Sequence, residues 1–192
     1  MLKNRVVLCG PACSGKTSIF NQMKGVDFYD NYRKTMITSH SSVIYDNGGD
    51  LSEINVWDVT GDISLIEILK PYFQNVDVVI YVCDVTNNNA FTDLAIWMEQ
   101  FADSTSIVFA SGILVLNKID LIESINNVIQ NSQSYAQEHN LEVFRICAKD
   151  GNGLDALLKR CDEICKEKAR ERLSMVQLSN NVPHEEPKSK CC

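Results

Sequence analysis

The chain has 192 residues, an apolar fraction of 45% and a formal net charge of −7. That length and apolar content predict one compact domain with a normal buried core and a modest extension. The negative charge argues against a nucleic-acid binder with a broad basic face, because phosphate contacts need clustered Lys and Arg. We therefore expect no nucleic-acid partner.

The eight cysteines raise the question of a disulfide scaffold. The N-terminal stretch MLKNRVVLCGP lacks the long apolar run of a secretory signal, so we expect a reducing compartment and free thiols. Cys9 and Cys83 lie inside apolar runs and are expected to be small core residues. Cys161 and Cys165 have no second Cys or His pair nearby in sequence, which argues against zinc. No apolar run is long enough to span a bilayer.

The predicted elements begin with a strand in RVVLCG and a helix in SIFNQM. Two strand-like runs then flank DNGGD, which is a turn signal typical of an antiparallel hairpin. Further strands follow in VDVVIYVCDV, SGILVLNK and LEVFRICA, which are rich in Val, Ile and Leu without polar alternation. Alternation with amphipathic segments predicts a three-layer α/β fold, with a mostly parallel six-stranded sheet and one antiparallel edge strand.

The last predicted element is a helix in GLDALLKRCDEICKEKAR. Its apolar side chains recur at three- and four-residue steps and form one stripe: Leu154, Leu157, Leu158, Cys161, Ile164 and Cys165. After about residue 172 the periodicity fades into SNNVPHEEPKSKCC, which has few apolar residues. We predict a domain over residues 1–172 and a flexible tail over residues 173–192.

The segment GPACSGKT, residues 10–17, matches GxxxxGK[ST] and lies between a predicted strand and a predicted helix. Its glycines let the backbone wrap phosphates, and the helix N-terminus adds partial positive charge. Lys16 is expected to bridge the β- and γ-phosphates, and the Thr17 hydroxyl to ligate Mg²⁺. The predicted phosphate-binding residues of the loop are Ala12, Cys13, Ser14, Gly15, Lys16 and Thr17.

Two later motifs indicate the base. NKID, residues 117–120, follows a buried strand, and the Asp120 carboxylate can accept from the donor edge of guanine, where adenine has the wrong polarity. CAK, residues 147–149, follows the last strand; the Ala148 N–H can donate to the guanine oxygen and Lys149 can pack on the ring. Together with Asn117 and Lys118, these residues predict guanine specificity.

With GPACSGKT, WDVTG, NKID and CAK in this order and at these separations, the chain resembles the Ras-like small GTPases. The terminal CC points to the Rab branch of that family. The resemblance covers about residues 3–170 and the last two cysteines. It implies a GTP/GDP switch that uses Mg²⁺ as its cofactor.

The resemblance also implies roles in two switch segments. Thr35 takes the place of the threonine that ligates Mg²⁺ and contacts the γ-phosphate, and Tyr32 that of a ring closing over the phosphates. Phe28 takes the place of the aromatic residue stacked across the guanine edge, although both aromatic residues also suit plain packing. Asp58 would hold Mg²⁺ through water, and the Gly61 N–H would donate to the γ-phosphate.

Position 62, in WDVTGD, is where the family has a glutamine that positions the attacking water. The Asp62 side chain is one methylene shorter, only accepts hydrogen bonds when ionised, and adds negative charge near the γ-phosphate. Ala12 and Thr60 also depart from the pattern. We therefore predict slow hydrolysis, with Lys16, Gly61 and Asp62 as the catalytic residues; the alternative is that Asp62 points to solvent and matters little.

The family meets its effectors through three aromatic residues. Trp57 and Tyr72 are in place here, whereas His40 replaces the phenylalanine, and the stretches MITSH and YFQNV depart from the Rab pattern. The resemblance implies Rab effectors, a GAP, an exchange factor and a GDP-dissociation inhibitor as partners of a monomer. The departures leave the identity of these partners open.

Cys191 and Cys192 resemble the double-cysteine signal for two geranylgeranyl groups, which anchor far more stably than one lipid chain. We expect the protein to be located on the cytoplasmic face of endomembranes, to cycle to the cytosol, and to act in membrane trafficking. Two alternatives stay open. One is a GTP-loaded membrane scaffold with negligible turnover, favoured by Asp62 and Thr60; the other is a P-loop kinase of small metabolites, disfavoured by NKID and CAK.

Overall fold

The computed structural model describes residues 4–31, 33–102, 110–122 and 126–180. Its strands are β1 (Arg5–Cys9), β2 (Thr38–Asn47), β3 (Asp50–Val59), β4 (Val78–Asp84), β5 (Ser111–Asn117) and β6 (Glu142–Ile146). Its α-helices are α1 (Lys16–Met23), α2 (Ile66–Leu69), α3 (Ala90–Ala102), α4 (Asn126–Glu138) and α5 (Leu154–Asn180). Short 3₁₀ helices cover Ile63–Leu65, Lys70–Phe73 and Ile119–Leu121.

The six strands form one sheet in the order β2-β3-β1-β4-β5-β6. All neighbouring pairs are parallel except β2 and β3, which are antiparallel at one edge of the sheet. The hairpin turn between them consists of Gly48 and Gly49, with φ values of 67° and 100°. Such left-handed geometry costs glycine little, so DNGGD encodes the turn directly. The predicted fold class is confirmed.

Both faces of the sheet are covered, which explains the uniformly apolar strands. On one face, β-strand side chains pack against residues of α1 and α5, including Ile19 and Leu157. On the other face they pack against residues of α2, α3 and α4, including Leu69 and Leu94. The carboxyl ends of the parallel strands therefore remain accessible at one rim of the sheet. Such rims are where open α/β sheets bind ligands.

Helix α5 presents the predicted apolar stripe to the sheet, with Leu157, Cys161, Ile164 and Cys165 buried. It continues to Asn180, so residues 173–180, which the sequence assigns to the tail, are helical. The sequence criterion was the loss of apolar periodicity, which reports burial rather than helicity. ERLSMVQLS contains neither Gly nor Pro, so the helix can continue with exposed apolar side chains. Residues 181–192 lie outside the described residues.

The cysteines in the described residues are free thiols, and all except Cys13 are buried. Cys9 and Cys83 are fully buried, as their apolar surroundings predict. Within the described ranges, no helix has the length and apolar character needed to cross a membrane.

Candidate functional site

A cleft of about 880 Å³ lies at the carboxyl-terminal rim of the parallel strands. It is lined by most of the residues predicted for nucleotide binding: Ala12, Cys13, Gly15, Lys16, Thr17, Phe28, Thr35, Gly61, Asn117, Lys118, Asp120, Ala148 and Lys149. Ser14 and Asp58 are fully buried in the surrounding structure. Tyr32, Cys191 and Cys192 lie outside the described residues. The fold thus brings segments that are far apart in sequence to one cavity.

The loop between β1 and α1 surrounds the Lys16 ammonium group. Its Nζ atom donates to the carbonyl oxygens of Gly10 and Pro11 over 2.9 and 2.7 Å. Burial lowers the pKa of Lys16, and the Asp58 carboxylate opposes that shift. Gly15 precedes α1 with a φ of 94°, and a Cβ atom there would lie 2.0 Å from Asn117 Nδ2. Glycine is therefore required for both the backbone turn and the close approach.

Asn117, at the end of β5, links the loop to the CAK motif. Its Nδ2 donates to the Ser14 carbonyl oxygen over 2.9 Å, and its Oδ1 accepts from the Ala148 N–H over 3.1 Å. Asn117 is 1% exposed, so these bonds are shielded from water. The side chain predicted to belong to the base site therefore also fixes the relative positions of two other site segments.

Lys118 is held by a residue that the motifs did not reveal. Its Nζ forms an ion pair with Asp84, which ends β4 and also accepts from the Thr86 N–H and hydroxyl. Partial burial acts to raise the pKa of Asp84, but these hydrogen bonds outweigh it and hold the pKa below its ordinary value. Asp84 was detectable in principle, because β4 and β5 are neighbours and their carboxyl ends meet.

Three oxygen-bearing side chains cluster where a divalent cation is predicted. Thr17 Oγ1 lies 2.9 Å from Thr35 Oγ1 and donates to Asp58 Oδ2 over 2.7 Å, and Thr35 donates to the same oxygen over 3.2 Å. Adjacent oxygen ligands of an octahedral Mg²⁺ ion at about 2.1 Å lie about 3 Å apart. The described residues contain no group of three or more His, Cys, Asp or Glu suited to a metal. The spacing of the Thr17 and Thr35 hydroxyl oxygens fits two adjacent ligands of such an ion.

The environment of Asp58 also fits a hydrated cation. Its carboxylate is fully buried, and Oδ1 has no hydrogen-bond partner among the described residues. Burial raises the pKa of Asp58, while the hydrogen bond from Thr17 and the nearby Lys16 charge lower it. A buried carboxylate oxygen without a partner is costly. A water molecule on a bound Mg²⁺ ion would supply the donor that this oxygen lacks.

Gly61 lies against the phosphate loop, since a Cβ atom there would come within 2.4 Å of the Ala12 nitrogen. The next residue, Asp62, does not line the cleft. Its Oδ2 accepts from Lys34 Nζ over 2.7 Å, and its Oδ1 accepts from the Ser64 N–H and hydroxyl over 3.1 and 2.7 Å. The hydrogen bond from Lys34 is the largest cause that lowers the pKa of Asp62 to about 2. Asp62 is thus ionised and bound to Lys34 and Ser64.

The three predicted effector-facing residues lie on separate elements: His40 on the edge strand β2, Trp57 on β3 and Tyr72 in the 3₁₀ helix Lys70–Phe73. The His40 and Trp57 ring centroids are 4.2 Å apart, and the Arg5 guanidinium lies 4.2 Å from the Trp57 ring. Arg5 Nη2 also donates to the Tyr72 carbonyl oxygen over 3.0 Å. Trp57 and Tyr72 are half-buried and His40 is exposed. Arg5 supports this group, although no sequence motif indicated it.

The glycine-rich loop between β1 and α1, together with the Asn117–Asp120 segment after β5, defines a P-loop nucleotide-binding protein of the α/β class. The model of the Ras family matches residues 5–167. The chain belongs to the Ras family, and its Rab-named relatives place it on the Rab branch. Members of this family are small GTPase switches that bind GTP and GDP, generally with Mg²⁺.

The relatives are distant. The chain is 27% identical to the Ras-related protein Rab-33A of Mus musculus over 147 residues, covering 76% of this chain but only 62% of that protein. It is 26% identical to Rab-21 of Homo sapiens over 162 residues, which are 84% of this chain and 70% of the relative. For human Rab-12 the identity is 27% over 184 residues, or 94% and 74% of the two chains.

Proposed function

We propose that this chain is a Rab-like GTPase whose two switch segments change conformation with the γ-phosphate of bound GTP. The observation that carries the proposal is the convergence of the phosphate loop, the Thr17–Thr35–Asp58 oxygen cluster and the NKID segment on one cleft. A phosphate site, a cation site and an acceptor for guanine in one cavity match a guanine nucleotide with its metal ion.

Each residue at the phosphate-binding end of the cleft has a proposed role. Lys16 contacts the β- and γ-phosphates, and the backbone N–H groups from Ala12 to Thr17 and that of Gly61 donate to phosphate oxygens. Thr17 and Thr35 would hold Mg²⁺ directly and Asp58 would hold it through water; a bound ion would supply positive charge to neutralise the phosphate oxygens. The reaction is attack of water on the γ-phosphorus, with departure of GDP.

The other end of the cleft selects the base. Asp120 accepts from the two donors on the guanine edge, and the Ala148 N–H donates to the guanine oxygen. Phe28 and Lys149 pack on the ring, and Asn117 and Lys118 position this half of the site. Each of these residues lines the cleft.

We propose that intrinsic hydrolysis is slow because Asp62 replaces the water-positioning glutamine. The hydrogen bonds from Lys34 and Ser64 support this, since they use both carboxylate oxygens and leave Asp62 outside the cleft lining. A GAP that supplies catalytic groups in trans would then set the turnover. The second candidate, a GTP-loaded membrane scaffold with negligible turnover, is favoured by the same observation.

The Rab-named relatives and the two cysteines Cys191 and Cys192 support a proposal for the cellular role. We propose two geranylgeranyl groups on Cys191 and Cys192, attachment to the cytoplasmic face of endomembranes, and recruitment of effectors through His40, Trp57 and Tyr72. An exchange factor and a GDP-dissociation inhibitor complete the cycle in membrane trafficking. The protein acts as a monomer.

The test is a single-turnover assay of GTP hydrolysis on the purified full chain, with and without Mg²⁺. We expect one bound guanine nucleotide per chain, Mg²⁺-dependent retention, no displacement by excess ATP, and slow formation of GDP. Failure to retain GTP or GDP in Mg²⁺ would reject the proposal. Retention of GTP without any formation of GDP would reject the cycling GTPase and support the GTP-loaded scaffold.

A further inference from the structure

Lys34 and Asp62 join two segments that are otherwise separate in sequence. We call residues 33–37 the first switch segment and residues 58–65 the second switch segment. Lys34 Nζ and Asp62 Oδ2 are 2.7 Å apart, and the two side chains are 55% and 30% exposed. The pair is therefore accessible at the surface, outside the cleft, and connects the first switch segment to the second.

Both residues of the pair are next in sequence to residues at the cleft. Lys34 immediately precedes Thr35, whose hydroxyl lies within hydrogen-bond distance of Thr17 and Asp58. Asp62 immediately follows Gly61, whose backbone lies against Ala12 of the phosphate loop. Thr35 and Gly61, which are two of the residues proposed to contact the γ-phosphate, are thus the direct chain neighbours of the ion pair.

Thr60 adds a second connection between the same segments. Its N–H donates to the Ile37 carbonyl oxygen over 2.8 Å, and its hydroxyl accepts from the Asp62 N–H over 3.3 Å. Thr60 is fully buried. The backbone of Asp62 is therefore held by Thr60 while its carboxylate is held by Lys34 and Ser64, so the carboxylate faces the first switch segment in a defined orientation.

We propose that the Lys34–Asp62 ion pair couples closure of the first switch segment to that of the second, which makes both residues positioning residues for the GTP-bound conformation. The inference rests on the proposed function. When Thr35 withdraws from the cation site, Lys34 moves with it and the pair separates. The pair therefore stabilises the closed state selectively and slows release of the triphosphate but not of the diphosphate.

The pair is solvent-exposed, so its effect is modest and sensitive to salt. Exposed ion pairs change equilibria by about two- to fivefold, and about 1 M salt screens them almost completely. Because the Lys34 side chain is exposed and the Asp62 side chain is only half-buried, we expect their replacement to leave the buried core intact. A charge-reversed pair restores the attraction with opposite polarity, which separates coupling from the loss of either side chain alone.

The test measures dissociation of fluorescent GDP and of a fluorescent non-hydrolysable GTP analogue from the full chain in Mg²⁺. The variants are Lys34→Glu, Asp62→Lys and the double exchange. We expect each single variant to release the GTP analogue about two- to fivefold faster with GDP release unchanged, and the double exchange to return to within about 1.5-fold of the parent. At about 1 M NaCl the parent should approach the single variants.

The matched control is the exposed ion pair between Lys70 and Glu67, whose charged atoms are 2.6 Å apart. These residues are three positions apart in the chain, so their pair does not connect the two switch segments. Its single reversals and its exchange should leave both release rates unchanged. Additive effects of Lys34→Glu and Asp62→Lys in the double variant, or equal effects on GDP and the GTP analogue, would overturn the coupling alone. A parent chain that retains no guanine nucleotide would overturn the proposed function as well.

Discussion

The Nδ2 atom of Asn117 donates a hydrogen bond to the carbonyl oxygen of Ser14 over 2.9 Å. These residues are 103 positions apart, and the bond joins the base end of the cleft to the phosphate loop. Since the same side chain accepts from the Ala148 N–H, three segments of the site depend on one buried amide. Its removal should therefore affect both stability and nucleotide retention.

Asn117→Ala leaves the Ser14 carbonyl and the Ala148 N–H without their side-chain partner. We expect the free energy of unfolding to fall by about 2–3 kcal/mol, measured by urea denaturation, and GDP to dissociate faster. Asn87→Ala is the control, because the Asn87 amide bonds Asp93 at an exposed position. An unchanged denaturation midpoint for Asn117→Ala would show that the buried amide does not hold the segments together.

Asp120→Ala removes the proposed acceptor for the guanine donors. Two lost hydrogen bonds to a charged group predict a fall in GDP affinity of about 100-fold, whereas the already weak binding of ADP should change little. Competition against fluorescent GDP measures both affinities, with Asp93→Ala on α3 as the control. Equal losses for GDP and ADP would show that Asp120 acts on the fold rather than on the base.

Reactivity should distinguish Cys13 from the other described cysteines. Burial is the largest cause that raises the pKa of Cys9, Cys83 and Cys161 to about 12, so these groups remain protonated thiols from pH 7 to 9. Cys13 is exposed and lines the cleft. We expect iodoacetamide to label the Cys13 peptide first, as measured by mass spectrometry. Saturating GDP with Mg²⁺ should slow the labelling of Cys13.

Buried cysteines provide the internal control in that experiment. In the folded protein their labelling should stay negligible from pH 7 to 9, because the raised pKa values of the buried thiols lie well above this range. Labelling of Cys9 at the rate of Cys13 would contradict the packing of β1. Insensitivity of Cys13 to GDP would place the nucleotide away from the phosphate loop.

Asp62→Gln restores an amide that can donate and accept near the γ-phosphate. We expect single-turnover hydrolysis to accelerate by about fivefold or more. Asp62→Asn is the matched control, since it removes the charge without restoring the length of glutamine, and we expect little acceleration from it. An unchanged rate in Asp62→Gln, or equal acceleration in both variants, would show that side-chain reach at position 62 does not limit the reaction.

Replacing both Cys191 and Cys192 with serine removes the proposed lipid attachment sites. We expect the double variant to move from the membrane fraction to the cytosol on cell fractionation, because the two proposed prenyl anchors are lost together. Cys13→Ser should keep the parental distribution. Recovery of the double variant with membranes would reject anchoring through these two residues.

The sequence predicted the features that local patterns encode. Buried strands appear as continuous apolar runs, DNGGD encodes the hairpin turn, and GPACSGKT and NKID mark positions at strand ends. The contacts that orient these motifs depend on pairs distant in sequence, such as Lys118 with Asp84, 34 positions apart, and Lys34 with Asp62, 28 apart. Such pairs have no local signature, so the fold was needed to find them.

The helix boundary shows a second limit. Residues 173–180 lack a buried stripe, and Leu173 and Met175 are 57% and 67% exposed, yet the chain there is helical. Apolar periodicity reports which face is buried, whereas helix propensity governs an exposed continuation. Asp62 shows a further limit, because a motif position does not fix a side chain's partners. Its position in the motif suggests a contact with the attacking water, but its side chain binds Lys34 and Ser64.

The most direct test of the account identifies the nucleotide that copurifies with the full chain when none is added. The protein is denatured and the released nucleotide is separated by chromatography and quantified against protein. We expect close to one guanine nucleotide per chain, recovered mainly as GDP because slow hydrolysis still proceeds between synthesis and analysis. Recovery of adenine nucleotide, or of no nucleotide, would contradict guanine binding. Recovery of GTP alone would contradict a cycling switch and support a persistent scaffold.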